Sequence, residues 1–554
     1  MSVANKPVQT SLPSAAHGPA GMSQRVKNSR EGLWLGVFSL VIYAVAGVYL
    51  TYAVHGVPGD ALSRIANAYY VLFSRNPHLG AIGLVWNPLP SILELPFVAL
   101  HPWFPAVVTR GLAGIAVSAV LGAAAVYHIH HILRNSLGLP RMLRIVATAS
   151  FALNPLIILY GSNGMSDIMW IACILGTYSG LIDYLQGGSL RRLVSASLWL
   201  AAGFGMRYEA IPFGALLILA VAVSWWGRKS SSQWRGSAIL LGAPIVFACG
   251  VWIYFNWLIM KNPLYFLNSS YGNLAQTSTG AYMTPAIAAA DHHMLGALLY
   301  VIRFGLLYWP IYLGMAFALW YCFGKRRDPR AIVLVFGTIG ADLLELLLLY
   351  KGNLGSWDRF FLEFIPNGIL LFAFMVAKLQ PYWSRWSGFW KATLGLIVML
   401  AFLSGSVGTV VATQHPALGH PDGGVLQAAL LDRPIHGAAN NPLSGVHGVI
   451  QYANNHPHLS ILADTFTDWP IVIQAQHLNQ FIITSDYKFN SILYNPRGRV
   501  NAFLVPQPAQ VAQLDAINRA WPGLWAGKIP WVKLIKSFSG ANHYRLYEVL
   551  PSAP

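Results

Sequence analysis

Asp60, in the segment Pro-Gly-Asp-Ala-Leu-Ser-Arg, is the first acidic side chain after the long apolar run Leu33 to Val54. A carboxylate at such a boundary is costly to keep without a partner or a task, and one facing a substrate hydroxyl can take its proton. Other segments place polar and ionisable residues within a few positions of apolar runs. They are Asn163 to Asp167 in Gly-Ser-Asn-Gly-Met-Ser-Asp, Arg207-Tyr208-Glu209, Lys261 to Tyr271, and Asp358-Arg359 in Ser-Trp-Asp-Arg-Phe. Asp60, Asp167 and Glu209 are the candidate proton-transfer carboxylates. Arg64, Asn163, Arg207, Tyr208, Tyr271, Arg303, Asp358 and Arg359 are the candidate substrate contacts. A mouth of mixed carboxylate and guanidinium groups suits phosphate-linked group transfer, in which an acid takes a hydroxyl proton and cations hold the departing phosphate.

Each residue has a competing structural reading. Asp60 and Asp167 both stand where a helix N-cap is wanted. Arg64, four residues after Asp60, could simply pair with it. Arg207 and Glu209 could close a hairpin as a local salt bridge, and Asp358 and Arg359 could snorkel at a span end. Arg303, Asp342 and Glu345 lie inside apolar runs, with the two acids on one helix face; a buried pair of Arg303 with either acid competes with a ligand role for the arginine. His128, His130 and His131, and likewise Asp291 with His292 and His293, give only a weak metal signal. Divalent metal is thus possible but not indicated, and no cofactor is called for. Asp464, Asp468 and Trp469 could touch a glycan, against the plainer reading of a turn at a strand end.

These residues need a membrane to position them. The chain is 55% hydrophobic and 10% charged over 554 residues, and its mean hydropathy is +0.50. That composition excludes an ordinary soluble domain and indicates a polytopic helical membrane protein. Apolar runs of span length follow Leu33 to Val54 at Ala106 to Tyr127, Ile145 to Tyr160, Ile168 to Tyr184, Leu193 to Met206, Ile211 to Trp226, Ile239 to Met260, Leu295 to Phe323, Ile332 to Tyr350, Phe360 to Lys378 and Ala392 to Val411. That gives about eleven crossings. Basic clusters fall in alternate loops: Arg134, Arg141 and Arg144; Arg191 and Arg192; Arg228, Lys229 and Arg235; Lys325, Arg326, Arg327 and Arg330; Lys378, Arg385 and Lys391. The positive-inside rule makes those loops cytoplasmic, and it folds Leu193 to Trp226 into a hairpin turning at Arg207 to Pro212. Ala81 to Trp103 contains Pro88, Pro90 and Pro96 and reads as an interfacial or re-entrant element.

Three regions follow. Residues 1–32 read as a disordered cytoplasmic tail, 33–411 as a transmembrane unit with a large first external loop at 54–105, and 412–554 as an external soluble α/β domain. In that domain the short apolar runs Leu459 to Ala463, Phe481 to Thr484, Ala502 to Val505, Trp531 to Ile535 and Tyr544 to Val549 read as strands, with helical spacing at Gln507 to Ala520. The net charge of +17 divides as +15 over residues 1–411 and +2 over 412–554. It is therefore mostly an insertion and lipid-headgroup signature, and no nucleic-acid partner is suggested. Cys173, Cys249 and Cys322 all lie in apolar runs, so no disulfide framework is implied.

The long first external loop with an Asp just past the first span, the Asn-Gly-Met-Ser-Asp turn, Arg-Tyr-Glu, Asn-Pro-Leu-Tyr-Phe and the appended external domain together resemble the GT-C glycosyltransferases. The similarity is to the protein O-mannosyltransferase and lipid A aminoarabinose transferase branch, over essentially Leu33 to Val411. Asp60 matches the family's catalytic loop acid. The frequent second acid of that loop is absent, because Ala61 follows Asp60, which leaves Asp167 or Glu209 as a possible second carboxylate. The resemblance implies inverting transfer of a sugar from a polyprenyl-phosphate carrier to a glycan, lipid or protein acceptor on the external side. The chain would then be a multi-pass protein of the bacterial plasma membrane with a cytoplasmic N-terminus. Independently, no Asp-x-Asp occurs in the chain, so the usual metal grip on a nucleotide-sugar is missing. The alternatives are a transporter or flippase of polyprenyl-linked glycans, for which matching broken halves would be the sign, and a glycan polymerase.

Overall fold

The computed structural model describes residues 19–225, 231–324, 327–355, 357–415, 421–435, 441–540 and 543–551. Arg228, Lys229, Lys325, Arg326 and residues 1–18 of the expected tail lie outside them. The rest of that tail is not irregular: the first helix runs Pro19–Tyr49.

Among the described residues, seven helices are long and apolar enough to cross a bilayer, and two bent pairs raise this to nine. The bent pairs differ from the straight spans expected of the sequence. Arg141–Ala152 and Pro155–Gly161 meet at 59°, and Met294–Tyr308 and Ile311–Phe323 at 111°. Each break holds a proline, Pro155 or Pro310, which cannot donate to the preceding turn; Asn154 caps the new start by accepting from the Leu156 N–H at 3.1 Å. The short helices Leu190–Met206 and Ala210–Trp225 form the hairpin, turning at Arg207, Tyr208 and Glu209. Ser166–Leu185 is the innermost element, with almost every side chain buried. By contrast, Val246 and Phe247 of the helix Ser231–Met260 are exposed apolar side chains, as a lipid-facing surface requires.

The first loop is structured. It contains the helix Gly59–Phe73, a tight turn at Leu79–Ile82 and the helix Leu89–Val98. The last has 10 residues, about half of what a crossing needs.

The C-terminal region closes over this loop. Its sheet comprises β1 (Ile461–Ala463), β2 (Phe481–Ile483), β3 (Ala502–Pro506), β4 (Val532–Phe538) and β5 (Tyr544–Val549) in the order β2-β1-β3-β5-β4. β1 runs parallel to β2 and β3, and β5 antiparallel to β3 and β4. The helix expected over Gln507 to Ala520 is broken into a turn at Gln510–Leu514 and a helix at Ala516–Ala520. Asp515 starts the second piece by accepting from the N–H groups of Ile517 and Asn518. The segment leading into the domain returns to the first helix, where Tyr49 Oη bonds Asp432 at 2.8 Å and the Ile435 N–H bonds the Val54 carbonyl at 2.8 Å.

Candidate active site

Asp60 does not cap its helix. Pro58 holds the cap position, and Asp60 lies in the first turn, where the helix dipole favours its negative charge. Its side chain is 42% exposed and pairs with Arg359 across 2.8 Å. Desolvation pushes the Asp60 pKa up, but the Arg359 guanidinium outweighs it, with help from Arg64 and Arg207, and the net shift is down. Asp60 is therefore ionised at neutral pH. Arg359 is fixed from other sides as well: its guanidinium packs over the Trp357 and Phe360 rings at 5.1 and 5.2 Å and touches the Met165 sulfur at 3.8 Å.

The Asn-Gly-Met-Ser-Asp turn comes close to Asp60 through glycine. Gly164 has φ +80°, and a Cβ there would stand 3.2 Å from Gly114 backbone and 3.3 Å from the Ala61 methyl. Ala61 is buried in that contact, which accounts for the missing second acid: position 61 is packing surface. Asn163 accepts from the Met165 N–H and shapes the turn. Asp167 lies in the first turn of its helix behind Met165, so it too is not the cap.

Arg207 is held by acids on both sides. It meets Asp167 at 2.6 Å and Glu209 through Nε at 2.6 Å and a terminal nitrogen as well, with Glu345 at 4.0 Å. Glu345 thus faces Glu209, with which it shares a hydrogen bond, and Arg207, and not Arg303, which is exposed on its helix. Arg303 takes no part in this network among the described residues. The hairpin's approach decides the matter, since its turn brings Arg207 to the helix Pro329–Tyr350. Arg64 turns away from the expected pairing with Asp60; its guanidinium contacts the Asn87 carbonyl at 3.5 Å and lies over the Trp86 ring at 4.9 Å.

Tyr208 bonds the Val85 carbonyl at 2.9 Å and receives the Trp252 indole N–H at 3.1 Å, so it ties the hairpin to the first loop. Tyr271 donates to Asp464 at 3.0 Å and fastens the membrane unit to the C-terminal domain. Asp358 is fully buried beside Arg359. Above Asp60 lies a cavity of about 610 Å³ between the first loop, the segment carrying Tyr265 and Tyr271, and the C-terminal domain. Asp60 is part of its wall.

The sequence profile of the dolichyl-phosphate-mannose-protein mannosyltransferase family matches residues 101–253. No curated protein matches the chain in sequence. Two crystal structures of ArnT from Cupriavidus metallidurans, one bound to undecaprenyl phosphate and one in the apo state, superpose on it with a TM-score of 0.53. Identity is 10% and 11%; the matches cover 94% and 97% of this chain and 98% and 100% of theirs. The chain has the fold of the GT-C glycosyltransferases. It is an integral membrane protein of that architecture.

Within this GT-C frame the sequence reading missed Glu94. This residue of the first-loop helix is fully buried, and neither of its oxygens has a hydrogen-bond partner among the described residues. Burial raises its pKa well above the carboxylate range against the pull of Arg64, so it is a neutral acid close to that arginine. A lone charge in Leu-Pro-Ser-Ile-Leu-Glu-Leu-Pro was the available signal. His131 pairs with Asp183 at 2.8 Å, His130 lies 3.6 Å from Glu31, and Asp291 lies 3.6 Å from His292. Among the described residues no three His, Cys, Asp or Glu side chains gather into a metal site.

Proposed function

We infer that the chain is an inverting glycosyltransferase that moves a sugar from a polyprenyl-phosphate carrier to an acceptor hydroxyl on the external side of the bacterial plasma membrane. The observation that carries this reading is the 2.8 Å pairing of Arg359 with an ionised Asp60 that forms part of the wall of a cavity. Asp60 accepts the acceptor's O–H proton as that oxygen bonds to the anomeric carbon. The carbon–oxygen bond to phosphate breaks with its electron pair on the phosphate, which leaves as a polyprenyl phosphate monoester.

That leaving group gains charge as the bond breaks, and a guanidinium beside it is worth most at that moment. Arg359 suits the task better than Arg207, whose charge is already matched by Asp167 and Glu209. Asp167, Glu209 and Arg207 then serve to hold the floor of the site, with Arg64 as a further cation close to Asp60. The undecaprenyl phosphate bound by the ArnT relative agrees in chemistry with such a donor. Basic clusters on the opposite loops put the Asp60 face outside and the N-terminus inside.

The test offers the purified protein either a polyprenyl-phosphate sugar or the matching nucleotide-sugar, with and without a chelator. Transfer from the lipid donor, unchanged by chelator, is expected. Transfer from the nucleotide-sugar alone, or complete loss with chelator, overturns the reading. Movement of intact lipid-linked sugar across the bilayer without bond cleavage would assign a transporter instead.

A further inference from the structure

The cavity above Asp60 has a lining whose chemistry selects an acceptor. Among the described residues its lining holds two acids, Asp60 and Asp464, one histidine, His543, and no Lys or Arg. The three arginines near Asp60, namely Arg64, Arg207 and Arg359, all lie outside that lining. Asp464 has no capacity left for a ligand. Its two oxygens already accept from the Phe466 N–H, the Thr484 hydroxyl, the Tyr271 hydroxyl and the Ala516 N–H. A phosphorylated or carboxylated acceptor entering here would meet a carboxylate and find no lysine or arginine to hold it.

Much of the remaining lining is aromatic or carries neutral polar groups. Tyr70, Trp86, Phe466 and Trp469 present rings, and Asn67, Gln276, Ser485 and Gln507 present amide and hydroxyl groups. Trp469 reaches furthest toward the chemistry: a Cβ on Gly59, next to Asp60, would lie 3.6 Å from its ring. Phe466 packs on Tyr271 with ring centroids 5.1 Å apart, which fixes its face. Two hydroxyls on the wall, Tyr70 Oη and Ser485 Oγ, are buried without a hydrogen-bond partner among the described residues; Tyr70 is 1% exposed. A buried hydroxyl left unpaired is unfavourable, and a ligand hydroxyl would satisfy it.

Resting on the transfer reading above, we propose that the acceptor is an uncharged glycan chain, bound in this cavity with sugar faces on Trp469 and Phe466. The electron-rich faces of the rings attract the C–H faces of sugars, and the amides and hydroxyls pair with sugar hydroxyls. A volume of about 610 Å³ admits a few sugar rings, and it falls in the common range of about 300–1,000 Å³ for small-ligand sites. An extended peptide is served less well. Such chains bind by adding to a free strand edge; edge strand β4 contributes nothing to the lining, and edge strand β2 only the residues that follow it, Thr484 and Ser485.

The test uses the full chain in lipid nanodiscs, fluorescently labelled, on an array carrying neutral oligosaccharides of many linkages, phosphorylated and uronate-containing glycans, and Ser/Thr-rich peptides. Binding confined to neutral glycans is expected, about tenfold weaker in Trp469→Ala and measurably weaker in Gln507→Ala. The Gln507 side chain is exposed, so that variant keeps its fold. Signal on anionic glycans or peptides instead, no signal anywhere, or wild-type binding by both variants would overturn the proposal. No donor is present in this assay, so an enzyme that fails with the lipid donor but still binds neutral glycans refutes the transfer reading alone.

Discussion

At the scale of single residues, the pairing of Asp60 with Arg359 sets the pH behaviour. The folded pKa of Asp60 is depressed, so the pair stabilises the protein above the unfolded carboxylate pKa of about 3.9 and loses that contribution as pH falls through the lower folded value. The acid limb of kcat/KM should accordingly lie below the ordinary carboxylate range. In Arg359→Gln the main opposing charge is gone while desolvation remains, so the limb should move to higher pH alongside a large drop in rate; an unmoved limb would detach Asp60 from it. Arg359→Lys should stay impaired in kcat, because an ammonium cannot reproduce the two-pronged grip on phosphate. Asp60 was legible in the sequence because a charge after an apolar run stands out. Its partner was not, since 299 positions separate the two and only the packing of helices brings them together. Arg303 misled for the same reason: depth in a span says nothing about which face a side chain takes.

Among the elements, the Asn163–Asp167 turn and the C-terminal sheet make separable predictions. Gly164→Ala forces a methyl into the Gly114 and Ala61 contact at a positive φ, and should cost about 1–3 kcal/mol, read as a lower melting temperature together with reduced transfer. In the C-terminal domain, burial and the Asp464 carboxylate push the Asp515 pKa up to about 8. The unfolded chain gives up this proton near 3.9 while the folded domain holds it to about 8, so stability should fall as pH rises between those values. Hydrogen exchange of β1 and β3 at pH 5 and pH 8 should show the loss, and Asp515→Asn, which keeps the acceptor oxygen for the Ile517 and Asn518 N–H groups, should flatten it. The strands were readable from short apolar runs between turn residues. The bends at Pro155 and Pro310 were hidden because the hydropathy of each run passes unbroken through its proline.

For the whole molecule, composition sufficed to indicate a helical membrane bundle, and the lining of the cavity could not be read because three distant segments contribute to it. The positive-inside reading of the basic loops predicts that a periplasm-active reporter fused after Pro554 is active, and a signal from a cytoplasm-only reporter there would invert the assignment of faces. The central claim is that Asp60 takes the acceptor's proton. Its most direct test is single-turnover transfer from a polyprenyl-phosphate sugar by Asp60→Asn, with donor binding and melting temperature measured on the same preparation. An amide keeps the size of the side chain and removes its basicity, so a fall in turnover of about a hundredfold or more is expected, with the fold intact and the donor still bound. Turnover at the wild-type rate in a folded Asp60→Asn enzyme would contradict it.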